Sequence, residues 1–140
     1  MTYGVVKNLA RGFLTGDNVL PKEPEIVQAL TQMALHTVAN RADSLQLLTL
    51  ETDENTLRLG PGDYFVRTPI TPVEDTDIVD VETELCFAVA RLLASYISKE
   101  RGGIHVNEAK RIILDFNSVV DEVEQTAEMA LENIEAGTNG

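Results

Sequence analysis

The sequence predicts one mainly α-helical domain: a helical bundle with a small β-hairpin or three-strand element and a long C-terminal helix. Apolar residues recur every three or four positions in three long segments, as in helices that bury one face. Between the first two of these segments the pattern changes to alternation, which favours strands. A chain of 140 residues can bury one core without disulfides or metal. We therefore expect residues 1–140 to form a single domain.

Residues 1–22 are predicted to be an N-terminal arm. Gly4, Gly12, Gly16 and Pro21 support little regular structure, although the apolar residues between them can form a short amphipathic turn. Such an arm either docks on a neighbouring subunit or packs on its own domain, since termini are usually ordered only when tied down. The core is expected to cover residues 23–120.

The first helix is predicted over residues 24–41. Pro24 suits the first turn of a helix, and flanking glutamates complement the positive end of the helix dipole. A stripe with helical spacing predicts the buried face and consists of Ile26, Leu30, Met33 and Thr37, flanked by Val27, Ala34, Val38 and Arg41. His36 has no second histidine or cysteine at ligand spacing, which indicates a surface or interface histidine.

Alternating residues predict a β-hairpin, with strands over 48–52 and 56–59 around the turn formers Asp53, Glu54 and Asn55. A third short strand is predicted over 64–67. The intervening Gly-Pro-Gly is predicted to be a turn, because it lacks the Lys-Ser/Thr and helix start of a phosphate-binding loop.

An extended segment over residues 67–73 follows the third strand. Pro69 and Pro72 fix their own backbone angles and push the preceding threonines toward extended conformations. An ordered segment of this kind either reaches across a subunit boundary or forms a rigid loop. The candidate contacts to another subunit or partner are Tyr64, Phe65, Arg67, Pro69, Pro72 and Arg91.

The acidic run from Glu74 to Glu84 is the best candidate for chemistry, since paired carboxylates can hold a hard cation or share protons. Its spacing does not fit a calcium loop, because Asp80 stands where that loop needs glycine. We expect Asp75, Asp77 or Asp80 to cap the next helix instead. The predicted acidic channel or surface residues are Glu74, Asp75, Asp77 and Asp80.

Two further helices complete the prediction. Residues 85–98 are apolar nearly all round, which predicts a central helix; Cys86 is expected in the core, and Arg91 is expected to pair with a carboxylate of its own or an adjacent chain. Gly102 and Gly103 are expected to end this helix. Asn107 is predicted to cap a last helix over 107–135, with His105 in the loop before it. Residues 121–140 are predicted to form an acidic helix and a flexible tail.

The charge distribution limits the possible functions. The net charge is −12, and two acidic blocks, residues 74–84 and 121–140, carry six acids each and no base. Such a charge disfavours tight phosphate binding, which argues against nucleic-acid recognition. We also expect no cofactor, no metal and no enzymatic activity, because nucleophile, nucleotide and metal-ligand motifs are missing. No signal-peptide pattern or membrane-length apolar run is present, so synthesis in the cytoplasm is expected.

The order of elements resembles the small head-to-tail adaptor proteins of tailed bacteriophages, also called connector or head-completion proteins. This resemblance covers about residues 24–125. It is carried by a leading helix, a short hairpin, a Tyr-Phe-Val-Arg-x-Pro-x-x-Pro segment, an acidic turn and an aliphatic helix pair. The resemblance implies a structural virion protein in the neck, assembled from the host cytoplasm into a homo-oligomeric ring, expected as a dodecamer. Its implied partners are the portal protein and a tail or nozzle protein, with DNA passing through without specific binding and no membrane contact.

Two alternatives stay open. The hairpin-rich middle exceeds what purely helical adaptors show, which allows another neck or tail-completion protein. A soluble acidic binding module, such as a chaperone or regulator acting as a monomer or dimer, also fits the composition. A divalent-cation enzyme built on Asp75, Asp77 and Asp80 ranks below both.

Overall fold

A computed structural model describes residues 1–60 and 62–138, with side chains described as far as Leu131. It is mainly helical, with a small three-stranded antiparallel sheet. This confirms the predicted fold class. The elements in chain order are α1 (Tyr3–Phe13), α2 (Pro24–Arg41), β1 (Leu48–Thr49), β2 (Thr56–Leu59), β3 (Phe65–Arg67), α3 (Thr83–Ile97) and α4 (Gly102–Thr138).

Helix α3 lies at the centre of the molecule and contacts α1, α2 and α4. Its side chains are aliphatic or small over almost the whole circumference, so that it can bury surface against three neighbours at once. Eight of its residues are buried: Leu85, Cys86, Ala88, Val89, Ala90, Leu92, Leu93 and Ala94. Burial raises the pKa of the Cys86 thiol to about 11. The predicted core position of this cysteine is confirmed.

The prediction of an irregular N-terminal arm is wrong. Residues 3–13 form helix α1, which packs on α3 and buries Tyr3, Val6 and Ala10. Gly4 stands inside the helix because the chain passes closely there: a Cβ atom at this position would lie 3.3 Å from the Asp75 carbonyl oxygen. The glycines that indicated little regular structure therefore include one that permits close packing. The alternative that this segment packs on its own domain is the correct one.

Helix α2 has the predicted bounds, but its predicted buried face is wrong. Ile26 and Met33 are 48% and 54% exposed. Three of the four residues that flanked the predicted stripe are buried, whereas the fourth, Arg41, is exposed. The buried residues of α2 are Val27, Thr31, Ala34, Leu35, Val38 and Ala39. Both sides carry apolar residues, so periodicity alone places the stripe about one residue off. The Tyr3 hydroxyl lies 3.1 Å from the Thr31 hydroxyl and ties α1 to the buried side.

Three strands form in the predicted regions, but the first covers only Leu48–Thr49 instead of residues 48–52, and the predicted pairing of the first two is wrong. The strand order is β1-β3-β2, with both neighbours antiparallel to β3. Leu48 pairs with Val66, and Arg58 pairs with Val66 from the other side. The hairpin therefore joins β2 to β3, and the turn formers at 53–55 lead from one edge strand to the other.

Helix α4 begins at Gly102, five residues before the predicted cap Asn107. The glycine pair starts this helix, whereas α3 ends at Ile97 with Ser98 as its extended C-cap. His105 consequently lies inside α4, where it is buried, and its predicted place in a loop is wrong. The helix extends to Thr138. The last two residues of the predicted tail lie outside the described part of the chain.

Candidate functional site

The extended segment and the acidic run are fastened together by one bidentate ion pair. Arg67 Nη1 lies 2.6 Å from Asp80 Oδ2, and Nη2 lies 3.0 Å from Oδ1. Asp80 also accepts hydrogen bonds from the Ile70 amide at 2.9 Å and from Gln46 Nε2 at 3.0 Å. Burial opposes ionisation of this carboxyl, but the bond from Arg67, with the other two donors, outweighs it and lowers the pKa of Asp80. Asp80 is therefore a structural clamp.

Three other carboxylates of the acidic run, those of Asp75, Asp77 and Glu82, also bind within the chain. Asp77 accepts from the Val73 and Glu74 amides at 2.9 Å each, and these bonds lower its pKa. Asp75 pairs with Lys7 Nζ at 2.5 Å. Glu82 accepts from the Ser44 hydroxyl and from the Leu45 amide at 3.1 Å.

The expectation that Asp75, Asp77 or Asp80 caps α3 is wrong. The N-cap residue is Glu82, and it makes no side-chain capping bond because its carboxylate reaches the 44–45 turn. Among the described residues, no group of three potential ligands could hold a metal ion. Of the four predicted surface acids, Glu74 and Asp75 are exposed, whereas Asp77 and Asp80 are half-buried.

The segment over residues 67–73 lies on its own domain. Pro69 and Pro72 are buried, and Gln28 Nε2 donates to the Pro72 carbonyl at 3.3 Å. Between and beyond the prolines, Ile70 and Val73 are 73% and 63% exposed. Of the two alternatives, a reach across a subunit boundary or a rigid loop, the segment forms the rigid loop within this chain. Contact with another chain remains a prediction for its exposed residues. Tyr64, directly before β3, is 44% exposed.

A groove of about 560 Å³ lies between α3 and α4. Its floor is apolar, and Phe87 stands 41% exposed at one side. On its rim, Arg111 binds Glu108 and also Asp115, the latter at 2.7 Å, so one arginine is shared by two carboxylates. The groove residues are Glu84, Phe87, Arg91, Glu108, Arg111, Ile112, Asp115, Phe116 and Val119.

Arg91 enters this groove from α3 without the predicted carboxylate partner. Its Nη1 lies 3.0 Å from His105 Nδ1, and its guanidinium carbon lies 3.7 Å from the centre of the Phe13 ring. Because a guanidinium only donates, His105 Nδ1 is the acceptor and its proton is on Nε2. No salt bridge of Arg91 occurs among the described residues.

His105 is neutral in this arrangement. Burial, followed by the charges of Arg91 and Arg101, lowers its pKa. Its Nε2 is buried and has no hydrogen-bond partner among the residues that the structure describes. Sequence reasoning missed this cluster because it placed His105 in a loop. The one available signal was the spacing of His105 from Ala109 and Ile113 by four residues each, which continues the buried face of α4 toward its start.

The second half of α4 extends beyond the core. After Val120, which is 7% exposed, every described residue from 121 to 131 is exposed. The 18 residues from 121 to 138 correspond to about 27 Å of helix. The exposed apolar side chains include Val123 at 59%, Met129 at 63% and Leu131 at 61%. Over its described side chains, residues 121–131, the predicted acidic C-terminal helix is therefore an exposed helical surface with both acidic and apolar residues.

Comparison with protein-family models, with curated proteins and with solved structures finds no match to this chain. In the described part of the chain, no helix combines the length and hydropathy that crossing a bilayer requires.

Proposed function

We propose that this chain is a structural assembly protein, a head-to-tail adaptor that forms a ring between portal and tail in the neck of a tailed-bacteriophage virion. The observation that carries the proposal is the exposed second half of α4 on a compact helical body. Exposed apolar side chains grouped on one element, here Val123, Met129 and Leu131, are typical of a contact surface for another protein. The described residues of this helix half, 121–131, are all exposed and are therefore available to join neighbouring subunits.

Two further features support the proposal. The exposed side of the 67–73 loop is held rigid by the Arg67–Asp80 pair and the buried prolines, which suits a contact that must keep its shape. The surface carries a large acidic excess, and phosphates are repelled from acidic surfaces. A ring with such a lining lets DNA pass without gripping it. The proposed partners are further copies, expected as a dodecamer, the portal protein and a tail or nozzle protein.

The test is the composition and structure of purified phage particles that encode this chain. Quantitative mass spectrometry is expected to find it in several copies per particle, and cryo-electron microscopy of the neck is expected to place it in a ring next to the portal. Particles produced without the chain should contain heads and tails that are not joined. Complete, infectious particles that lack the chain would contradict the proposal.

A second candidate, the acidic binding module, is favoured by the α3–α4 groove. Its apolar floor and partly exposed Phe87 suit an amphipathic helix of another protein. Affinity capture from infected cells, followed by mass spectrometry, distinguishes the two functions. A portal or tail protein as the dominant partner supports the adaptor, whereas a non-structural protein bound through the groove supports the module.

A further inference from the structure

One apolar stripe on α4 runs from the groove onto the exposed half of the helix. Its residues follow at intervals of three or four: Ile112, Phe116, Val119, Val123, Ala127 and Ala130. The first three line the α3–α4 groove, and the last three lie on the exposed half. Residues at this spacing lie on one side of a helix. The groove and the exposed stripe are therefore one continuous surface, which no other part of the described chain covers.

The two ends of the stripe are complementary in size. The groove end carries large side chains, with Phe116 and Ile112 on α4 and Phe87 opposite them on α3. The exposed end carries Val123, Ala127 and Ala130, which let another helix approach closely. Alternation of large and small residues across facing positions is what a close-packed helix interface needs. An antiparallel arrangement brings each large end against a small end.

One charge favours the same arrangement. Arg91 lines the groove without a carboxylate partner among the described residues, whereas Arg111 is shared by Glu108 and Asp115. Glu84 is a third acid of the groove, so any attraction to an acidic helix comes from Arg91. Residues 121–131 carry four acids and no base. A helix half of this composition supplies Arg91 with the missing carboxylate. A parallel arrangement would instead place the acidic halves of two copies side by side, where like charges repel.

We propose that a second copy of this chain occupies the groove: the exposed half of its α4 lies antiparallel in the groove of the first copy, and the reverse contact forms at the same time. With Phe116 opposite Val123 of the partner copy, Ile112 lies opposite Ala127 and the two-fold axis passes near Val119. The α3 and α4 helices of both copies then form a four-helix bundle. Because a two-fold contact uses the same surface on both copies, it stops at a dimer. We therefore assign this dimer to the free protein, before the chain enters a larger assembly.

The first test is sedimentation of the full chain from low micromolar to several hundred micromolar. Ala127 and Gln125 are both exposed on α4, but only Ala127 lies on the stripe. Ala127→Glu is expected to weaken dimerisation at least tenfold, whereas Gln125→Glu adds the same charge and should leave the dimer intact. Circular dichroism of both variants should match the parent chain, because neither residue is buried. A monomer at every concentration, or equal weakening by both substitutions, would overturn the proposal.

Disulfide formation tests the orientation. Val119→Cys is expected to form a disulfide-linked dimer rapidly under mild oxidation, because the two copies of residue 119 meet near the axis. Ala130→Cys should not, since its two copies lie roughly 30 Å apart in the antiparallel pair. Cys86 is buried and does not interfere. Efficient self-linkage of Ala130→Cys would show a parallel pair and refute the proposed contact. The adaptor function is tested separately, by the structure of the neck in purified particles. The dimer proposal and the adaptor proposal can therefore fail independently of each other.

Discussion

The two halves of α4 have similar apolar content but different surroundings. In residues 102–120, Ala109, Ile113 and Val120 are buried against the body, whereas all described residues after 120 are exposed. Apolar spacing of three and four continues through both halves. A helical pattern alone thus does not show whether a segment stabilises its own fold. It shows only that one side of the helix suits burial, by the same chain or by another.

The largest expected effect is a difference in stability between substitutions in the two halves of α4. Ile113→Ala should lower the free energy of unfolding by about 2–4 kcal/mol, because it leaves a cavity against α3. Val123→Ala removes a similar side chain from the exposed half and should change the free energy of unfolding by less than about 0.5 kcal/mol. Urea unfolding at low protein concentration, where the chain is monomeric, measures both. Equal losses would show that the second half also packs within its own chain.

The second comparison is between two acids of the same run. Asp80→Asn should destabilise the chain by about 2 kcal/mol at neutral pH, since it breaks charged hydrogen bonds from Arg67 and from a backbone amide. Glu74→Gln, on an exposed residue nearby, is the matched control and should have little effect.

The effect of Asp80 also has a defined pH dependence. Its folded-state pKa is lowered, so its stabilisation is fully present above the unfolded pKa, about 3.9, and is lost as pH falls through the folded value. The difference between the parent chain and Asp80→Asn should therefore shrink below about pH 4. A difference that stays constant to lower pH would contradict the clamp.

Much of the fold could be predicted from the sequence, and the misses have physical reasons. The bounds of α2 and the central place of α3 followed from periodicity and proline. The arm prediction failed because Gly4 serves a close approach to Asp75 that only the folded structure reveals. The strand order failed because hairpin chemistry favours neighbours in sequence, whereas β3 pairs with both other strands.

The candidate site was less predictable. The acids of the 74–84 run were expected on a channel or as helix caps, but Asp77 and Asp80 bind the 67–73 loop and its neighbours. Their partners are distant in sequence or are backbone amides. A pattern of side-chain types along the sequence does not reveal such partners. Likewise, the pairing of Arg91 with His105 depends on the early start of α4 at Gly102.

A smaller effect is expected for His105. Its lowered pKa means that its neutral form stabilises the fold fully above the unfolded pKa, about 6.5, and that this stabilisation is lost as pH falls from there toward the folded value. Thermal melts of the parent chain should therefore shift downward between about pH 7.5 and 5.5. His105→Gln keeps an acceptor for Arg91 and removes the titration, so its melts should shift less. Identical pH dependence in both chains would exclude His105 as the cause.

Amide hydrogen exchange along α4 tests most directly whether one half of this helix serves the fold and the other serves a partner. At low concentration, residues 106–120 should be protected by the core, whereas residues 121–131 should exchange quickly, because an isolated helix of this length is marginal in water. At high concentration, residues 121–131 should become protected together with the groove around Phe116. Strong protection of residues 121–131 in the monomer, or none at any concentration, would contradict this division of the helix.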